Sequence, residues 1–268
     1  MEYLQSINPF SGPSHFPLIT FPPVFQPEDA PKAAILYVLP KSKELRTSED
    51  YECLKYQTYL MFAKYPHSVV EHSEQSFSPS GKLPALLTTD GRMLAGWEII
   101  CEVREKFDLE ANLSTENRAR LEVFTSLIER GLVFGLNYEF WYDSDNFEGV
   151  TAATVGASYP WPLNYFLPRF ERSRRITWML SKRPMINTEE IYGETDQILR
   201  DISLMLGTGK YFFGETPTLV DAALFAYLHT VLSILKKSPT ESQLRCTVLK
   251  HTNLVNYCRR VWNEWYES

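Results

Sequence analysis

Between Leu219 and Leu235 the chain reads LVDAALFAYLHTVLSIL, apolar on nearly every side of a helix. A helix with no polar face to give to water has to be buried. Directly before it, Thr218-x-x-Asp221 has capping-box spacing. The hydroxyl takes an N–H of the first turn, and the carboxylate reaches back to the N–H of the capping residue. The run is shorter than the ~20 apolar residues that cross a bilayer, and it holds Asp221, His229, Thr230 and Ser233. It predicts the axis of a helical domain rather than a membrane span, with Thr218 and Asp221 as structural residues.

The N-terminal half has a different rhythm. Ala33–Leu39 is a short apolar run suited to a buried parallel strand. Ser48–Lys64 reads as a helix with Cys53, Tyr56 and Leu60 on its apolar side, ended by Pro66, and Ser68–Glu71 as a second strand. Leu83–Leu87 and Arg92–Leu94 flank Asp90-Gly91, a strong hairpin signal. Gly96–Phe107 follows as a helix whose apolar positions are Trp97, Ile100, Cys101 and Val103. The order β-α-β, then β-β-α, is the thioredoxin-like plan. In that plan the proline before the first hairpin strand is cis, so Leu83–Pro84 is expected cis, a state costing only about 0.5–1 kcal/mol before proline.

From Ser114 onward the periods are helical: Leu121, Phe124, Ile128 and Leu132, then helices near Tyr165–Leu180 and Thr188–Leu206. The last helix has a stripe of Leu254, Cys258, Val261, Trp262 and Trp265. The expected organisation is a Pro-rich extended arm (1–31), a thioredoxin-like domain (33–107) and an all-helical domain (114–267). In the arm, six prolines before Pro31 forbid helix and central strand, while Phe10, Phe16, Ile19 and Phe25 favour an arm lying in a groove over a solvated tail.

Composition narrows the function classes. A net charge of −6 argues against nucleic acid as the main partner. The four cysteines are scattered without C-x-x-C spacing and read as reduced thiols. The first 31 residues hold no Lys or Arg, which fits neither a secretory nor a mitochondrial leader, so the chain is expected to be soluble or peripheral. Gly207-Thr-Gly209-Lys210 lacks the first glycine and the hydroxyl of a phosphate loop, having Leu204 and Tyr211 there. The histidines and cysteines form no metal set, and no cofactor site is expected. One basic stretch stands out: Arg169, Arg172, Arg174, Arg175, Lys182 and Arg183, against Glu171 alone. It reads either as a solvated helix face or as a contact for anionic lipid or an acidic loop. Trp161, between Pro160 and Pro162, reads either as part of a bend or as an interface anchor.

The capped, buried helix resembles that of the glutathione-transferase-like C-terminal domain. Four further segments, in order, resemble the metaxin family: Ser78-Pro-Ser-Gly-Lys-Leu-Pro84, Ser158-Tyr-Pro-Trp-Pro-Leu-Asn164, Leu206-Gly-Thr-Gly-Lys-Tyr-Phe-Phe213 and Tyr257-Cys-Arg-Arg260. The likeness is greatest to the metaxin-two branch and to the fungal metaxin-like peripheral subunit of the mitochondrial sorting and assembly machinery. The resemblance implies a non-catalytic subunit on the cytosolic face of the mitochondrial outer membrane. Its implied partners are an Omp85-type β-barrel subunit, a metaxin-one-like subunit and β-barrel precursors, with Trp161 and the arginines 169, 172, 174 and 175 as candidate contacts. Glutathione transfer needs three things in that fold. Here the hydroxyl after the first strand is at best Ser42, on a loose loop; the backbone before Pro84 is present; and the hydroxyl at the start of the helix after the hairpin is replaced by Gly96-Trp97. A glutathione-dependent transferase and a soluble module of this fold with no mitochondrial role are the alternatives.

Overall fold

The computed structural model describes residues 31–41, 47–157, 159–238 and 241–267. The arm before Pro31, the loop position Ser42 and Ser158 lie outside the described residues. Four strands form one sheet: β1 (Ala34–Val38), β2 (His67–Glu71), β3 (Ala85–Leu87) and β4 (Met93–Ala95), in the order β2-β1-β3-β4. β1 runs parallel to β2 in the register Leu36↔Val69 and antiparallel to β3 with Leu36↔Leu86. Helix α1 (Tyr51–Phe62) makes the β1-to-β2 crossover, and Asp50 caps it by accepting the Cys53 N–H at 2.9 Å. α2 (Trp97–Lys106) follows the hairpin. The Leu83–Pro84 peptide bond is cis.

From Thr115 on, the described elements are helices, with one isolated bridge between Tyr211 and Gly214. α3 (Thr115–Ser126) continues through a π-helical stretch (Leu127–Leu132), α4 (Val133–Asn137) and a second π-helical stretch (Tyr138–Tyr142). α5 (Ser144–Asn146), a third π-helical stretch (Phe147–Thr151) and α6 (Ala152–Gly156) come next. They are followed by α7 (Leu163–Lys182), α8 (Thr188–Leu206), α9 (Leu219–Ile234), α10 (Gln243–Leu249) and α11 (Thr252–Trp265). By length and composition Leu219–Lys237 is apolar enough to cross a membrane, but 78% of its most apolar window is buried inside the protein. α9 is the axis, packed against α1 on one side and α11 on another, and one continuous core runs from Leu36 of β1 through α1 to Val261 of α11.

Two expectations about helix faces change. α1 is buried nearly all round, not only at Cys53, Tyr56 and Leu60, because the sheet covers one side and α9 the other. On α2 the inward residues are Ile99, Ile100, Glu102 and Val103, whereas Trp97 and Cys101 are exposed. Glu102 tolerates burial because Arg92 (2.9 Å) and Lys106 neutralise it.

The start of α9 holds two buried carboxylates. Asp221 Oδ2 accepts the Thr218 N–H (2.9 Å) and hydroxyl (2.8 Å), and Oδ1 accepts the Phe212 N–H and the Tyr257 hydroxyl, each at 3.1 Å. Burial pushes this carboxyl up to about 6, against four donors that pull it down. Glu110, in the connection between α2 and α3, accepts the Leu219 N–H at 3.1 Å, Arg104 Nε at 2.9 Å and the Tyr59 hydroxyl at 3.5 Å. Two segments singled out in the sequence therefore meet here: Tyr257 reaches Asp221, and Arg260 donates to the carbonyls of Gly209 (3.1 Å) and Lys210 (2.6 Å).

At the middle of α9, His229 stacks 4.7 Å from Trp262 at an interplanar angle of 7°, with Nε2 3.2 Å from Thr47 Oγ1. Burial pushes the imidazole down to about 4. The unfolded chain takes up this proton near pH 6.5, so stability present above that pH drains away as pH falls toward 4. His229→Phe keeps the stack and removes the titration. Thermal melts at pH 7 and pH 4.5 are expected to show a smaller loss of Tm for the variant than for the wild type; equal losses would exclude this coupling.

Candidate functional site

Two regions bear on function: the cleft where α1 and α2 face the helix running on from α3, and the start of α7. The cleft contains a cavity of about 380 Å³ lined in part by Lys55, Tyr56, Trp97, Thr125 and Glu129. Lys55 is 3% exposed and bridges Glu52 at 2.7 Å and Glu129 at 2.9 Å. Its Nζ also lies 4.7 Å from the centroid of the Tyr56 ring. Burial pulls the ammonium pKa down, but Tyr51, Glu52, Tyr56 and Glu129 together outweigh it and hold the group charged. The ion pair thereby ties α1 to the first π-helical stretch across the cleft.

Among the described residues, the groups at this cleft are not arranged to activate a thiol. α2 begins at Trp97 behind Gly96, whose φ of 57° suits glycine and whose position offers no capping oxygen. Trp97 stands at the cavity rim with the Arg104 guanidinium 5.1 Å from its ring. Burial pushes the Tyr56 hydroxyl up to about 12, opposite to the acidic hydroxyl that stabilises a thiolate. Cys53 accepts the Leu39 N–H at 3.4 Å, and burial pushes its thiol well above the ordinary range, so it stays protonated.

At the start of α7 the prolines and Trp161 have separate roles. The Trp161–Pro162 bond is cis, and Pro162 precedes the first helical residue. Pro168, inside the helix, has no N–H to offer the Asn164 carbonyl, and that carbonyl packs on Gly156, where a Cβ would come within 2.6 Å of it. The bend is thus made by backbone. The Trp161 side chain is 83% exposed and contributes no packing to it.

The arginines of α7 are mostly engaged. Arg169 pairs with Glu148 at 2.7 Å, and Arg174 and Arg175 both hold Glu171 at 2.8 Å. Arg172 donates to the carbonyls of Trp141 (2.9 Å) and Tyr142 (3.1 Å) and to Ser144 Oγ (3.0 Å), and Arg183 pairs with Glu194. The basic stretch is therefore not six free cations, because partners distant in sequence close on it. Periodicity did not reveal Lys55, Glu129 or Glu110, whose partners also come from elsewhere in the chain. Phe166 and Phe170, outward on α7, share one side at helical spacing, a signal the sequence carries beside its charge pattern.

The family described as outer mitochondrial membrane transport complex protein matches residues 53–172, and the glutathione S-transferase C-terminal domain matches residues 195–261. Metaxin-1 of Mus musculus is 33% identical over 82% of this chain and 71% of its own length. Metaxin-2 of Homo sapiens is 29% identical over 90% of this chain and 92% of its own length. Among solved structures, a glutathione transferase from Phanerochaete chrysosporium superposes with a TM-score of 0.58 at 16% identity, covering 86% of this chain and 96% of that one. A glutathione transferase Omega from Trametes versicolor gives 0.52 at 15%, covering 87% and 82%. Identities that low establish a shared fold and nothing about chemistry.

The cleft ion pair makes an asymmetric prediction. Replacing Lys55 by Met removes a buried charge at nearly constant volume, whereas Glu52→Gln with Glu129→Gln strands that charge. Urea titrations are expected to place Lys55→Met within about 1 kcal/mol of wild type and the double variant roughly 3 kcal/mol below it. The reverse order would show that Lys55 is not held by these carboxylates.

Proposed function

We propose that this chain, which belongs to the metaxin family, is a non-catalytic subunit of a transport and sorting complex of the mitochondrial outer membrane. Its finer task is to help recognise β-barrel precursors and pass them into the membrane from the cytosolic face, beside an Omp85-type β-barrel subunit and a metaxin-one-like subunit. The match to metaxins across most of the chain carries this reading. The arrangement of the cleft supports the non-catalytic part, since Lys55 bridges its walls and Trp97 occupies the helix start where glutathione's amino end would be held.

On this reading the thioredoxin-like part (33–107) and the helical part (114–267) form one platform, and the arm (1–31) lies on this protein or a partner. Trp161 anchors a contact. Arg169, Arg172, Arg174 and Arg175 brace the surface around it, their charges partly spent on Glu148, Glu171 and backbone carbonyls. No cofactor is needed for such a role.

Depletion of the protein from mitochondria is expected to slow assembly of newly imported β-barrel proteins, read by native gels, while matrix import proceeds. Alkaline carbonate should release the protein from membranes that lack its barrel partner. Titration calorimetry with glutathione should be silent; micromolar binding, or undisturbed β-barrel assembly after depletion, would overturn the proposal.

A further inference from the structure

The first two turns of α7 carry a face that neither the core nor the cleft uses. Leu163, Phe166 and Phe170 fall at i, i+3 and i+7, one side of the helix, and that side points to solvent: Phe166 is 61% exposed and Phe170 70%. Trp161 stands out just ahead of them, and the Tyr165 ring packs edge-on against Phe166 at 5.4 Å. About one turn further on, the same side presents Arg174, whose side chain is 54% exposed.

Charge along the helix is one-sided. Its sequence holds five basic residues and one acid, Glu171. Glu171 is tucked between Arg174 and Arg175; burial pushes its carboxyl up, but those two guanidiniums outweigh it and hold it below the usual range. The outermost charge on this face is therefore positive, in a chain of net charge −6. Rings standing out in a row suit a plane better than a knob-shaped partner. Trp, Tyr and Phe with cations at their edge are also what a segment at a membrane–water interface carries: ring tips enter the acyl boundary and guanidiniums stay with the phosphates.

We propose that Trp161, Leu163, Phe166 and Phe170 dip into the lipid interface of the outer membrane, with Arg174 against anionic headgroups. α7 then sets the orientation in which the protein sits on the bilayer beside its partners. The proposal rests on the outer-membrane reading above and adds to it the surface that meets lipid.

The test uses the purified full-length chain and flotation with vesicles of phosphatidylcholine containing phosphatidylinositol, and of phosphatidylcholine alone. Wild type is expected to float with the anionic vesicles. The double variant Phe166→Ser, Phe170→Ser should bind them at least about tenfold more weakly, since these rings supply most of the apolar insertion. Arg174→Glu should weaken binding to the anionic vesicles alone. Both replaced rings are exposed, so an unchanged melting curve certifies the fold. Lipids brominated near the headgroup should quench Trp161, a signal lost in Trp161→Phe. Equal flotation of wild type and double variant, or no flotation of wild type, would overturn the proposal. If the double variant instead fails to assemble with its protein partners while wild type ignores vesicles, the face is a protein interface, and the outer-membrane role survives without the lipid contact.

Discussion

The structure turns on the N-terminus of one buried helix. α9 is apolar all round, so its first N–H groups are far from water and must be satisfied from within. Two carboxylates do this. Asp221 closes the capping box with Thr218 and reaches beyond it to Phe212 and Tyr257, while Glu110 takes the Leu219 N–H. Because Glu110 also holds Arg104 of α2 and Tyr59 of α1, a helix cap doubles as the joint between the sheet layer and the helices.

That joint also fixes one wall of the cleft. With α1 packed against α9 and bonded to Glu110, the Lys55 ammonium is buried against Glu52 and Glu129. The scaffold is shared with glutathione transferases, and this opening lies between its two layers. Here the walls are linked by an ion pair and the rim is taken by Trp97. Lys55, Glu52 and Glu129 are spent on one another there, while the rings of α7 stand on the outside.

Much of this was legible along the chain, and the reasons for the rest are physical. The capping box, the hairpin at Asp90-Gly91 and the span of α8 follow from local rules, so they survive folding unchanged. Helix faces were less legible. The side of α2 that packs inward is decided by the sheet beneath it, and a glutamate there, Glu102, is as buried as isoleucine because Arg92 and Lys106 come to it. The same logic hid Lys55 and Glu110, each of which has a partner tens of residues away: Glu129 for Lys55, and Tyr59 and Leu219 for Glu110. The α7 arginines form a charge cluster in sequence, whereas in the fold most are engaged by Glu148, Glu171 and backbone carbonyls, and the aromatic rings beside them are exposed.

The most direct trial of this account is calorimetric unfolding of wild type and Glu110→Ala. Wild type should melt in a single transition, and the variant should lose several degrees and split into two. A variant that still melts as one unit at the wild-type temperature would mean that the sheet layer and the helices are held together by something other than the carboxylates at the head of α9.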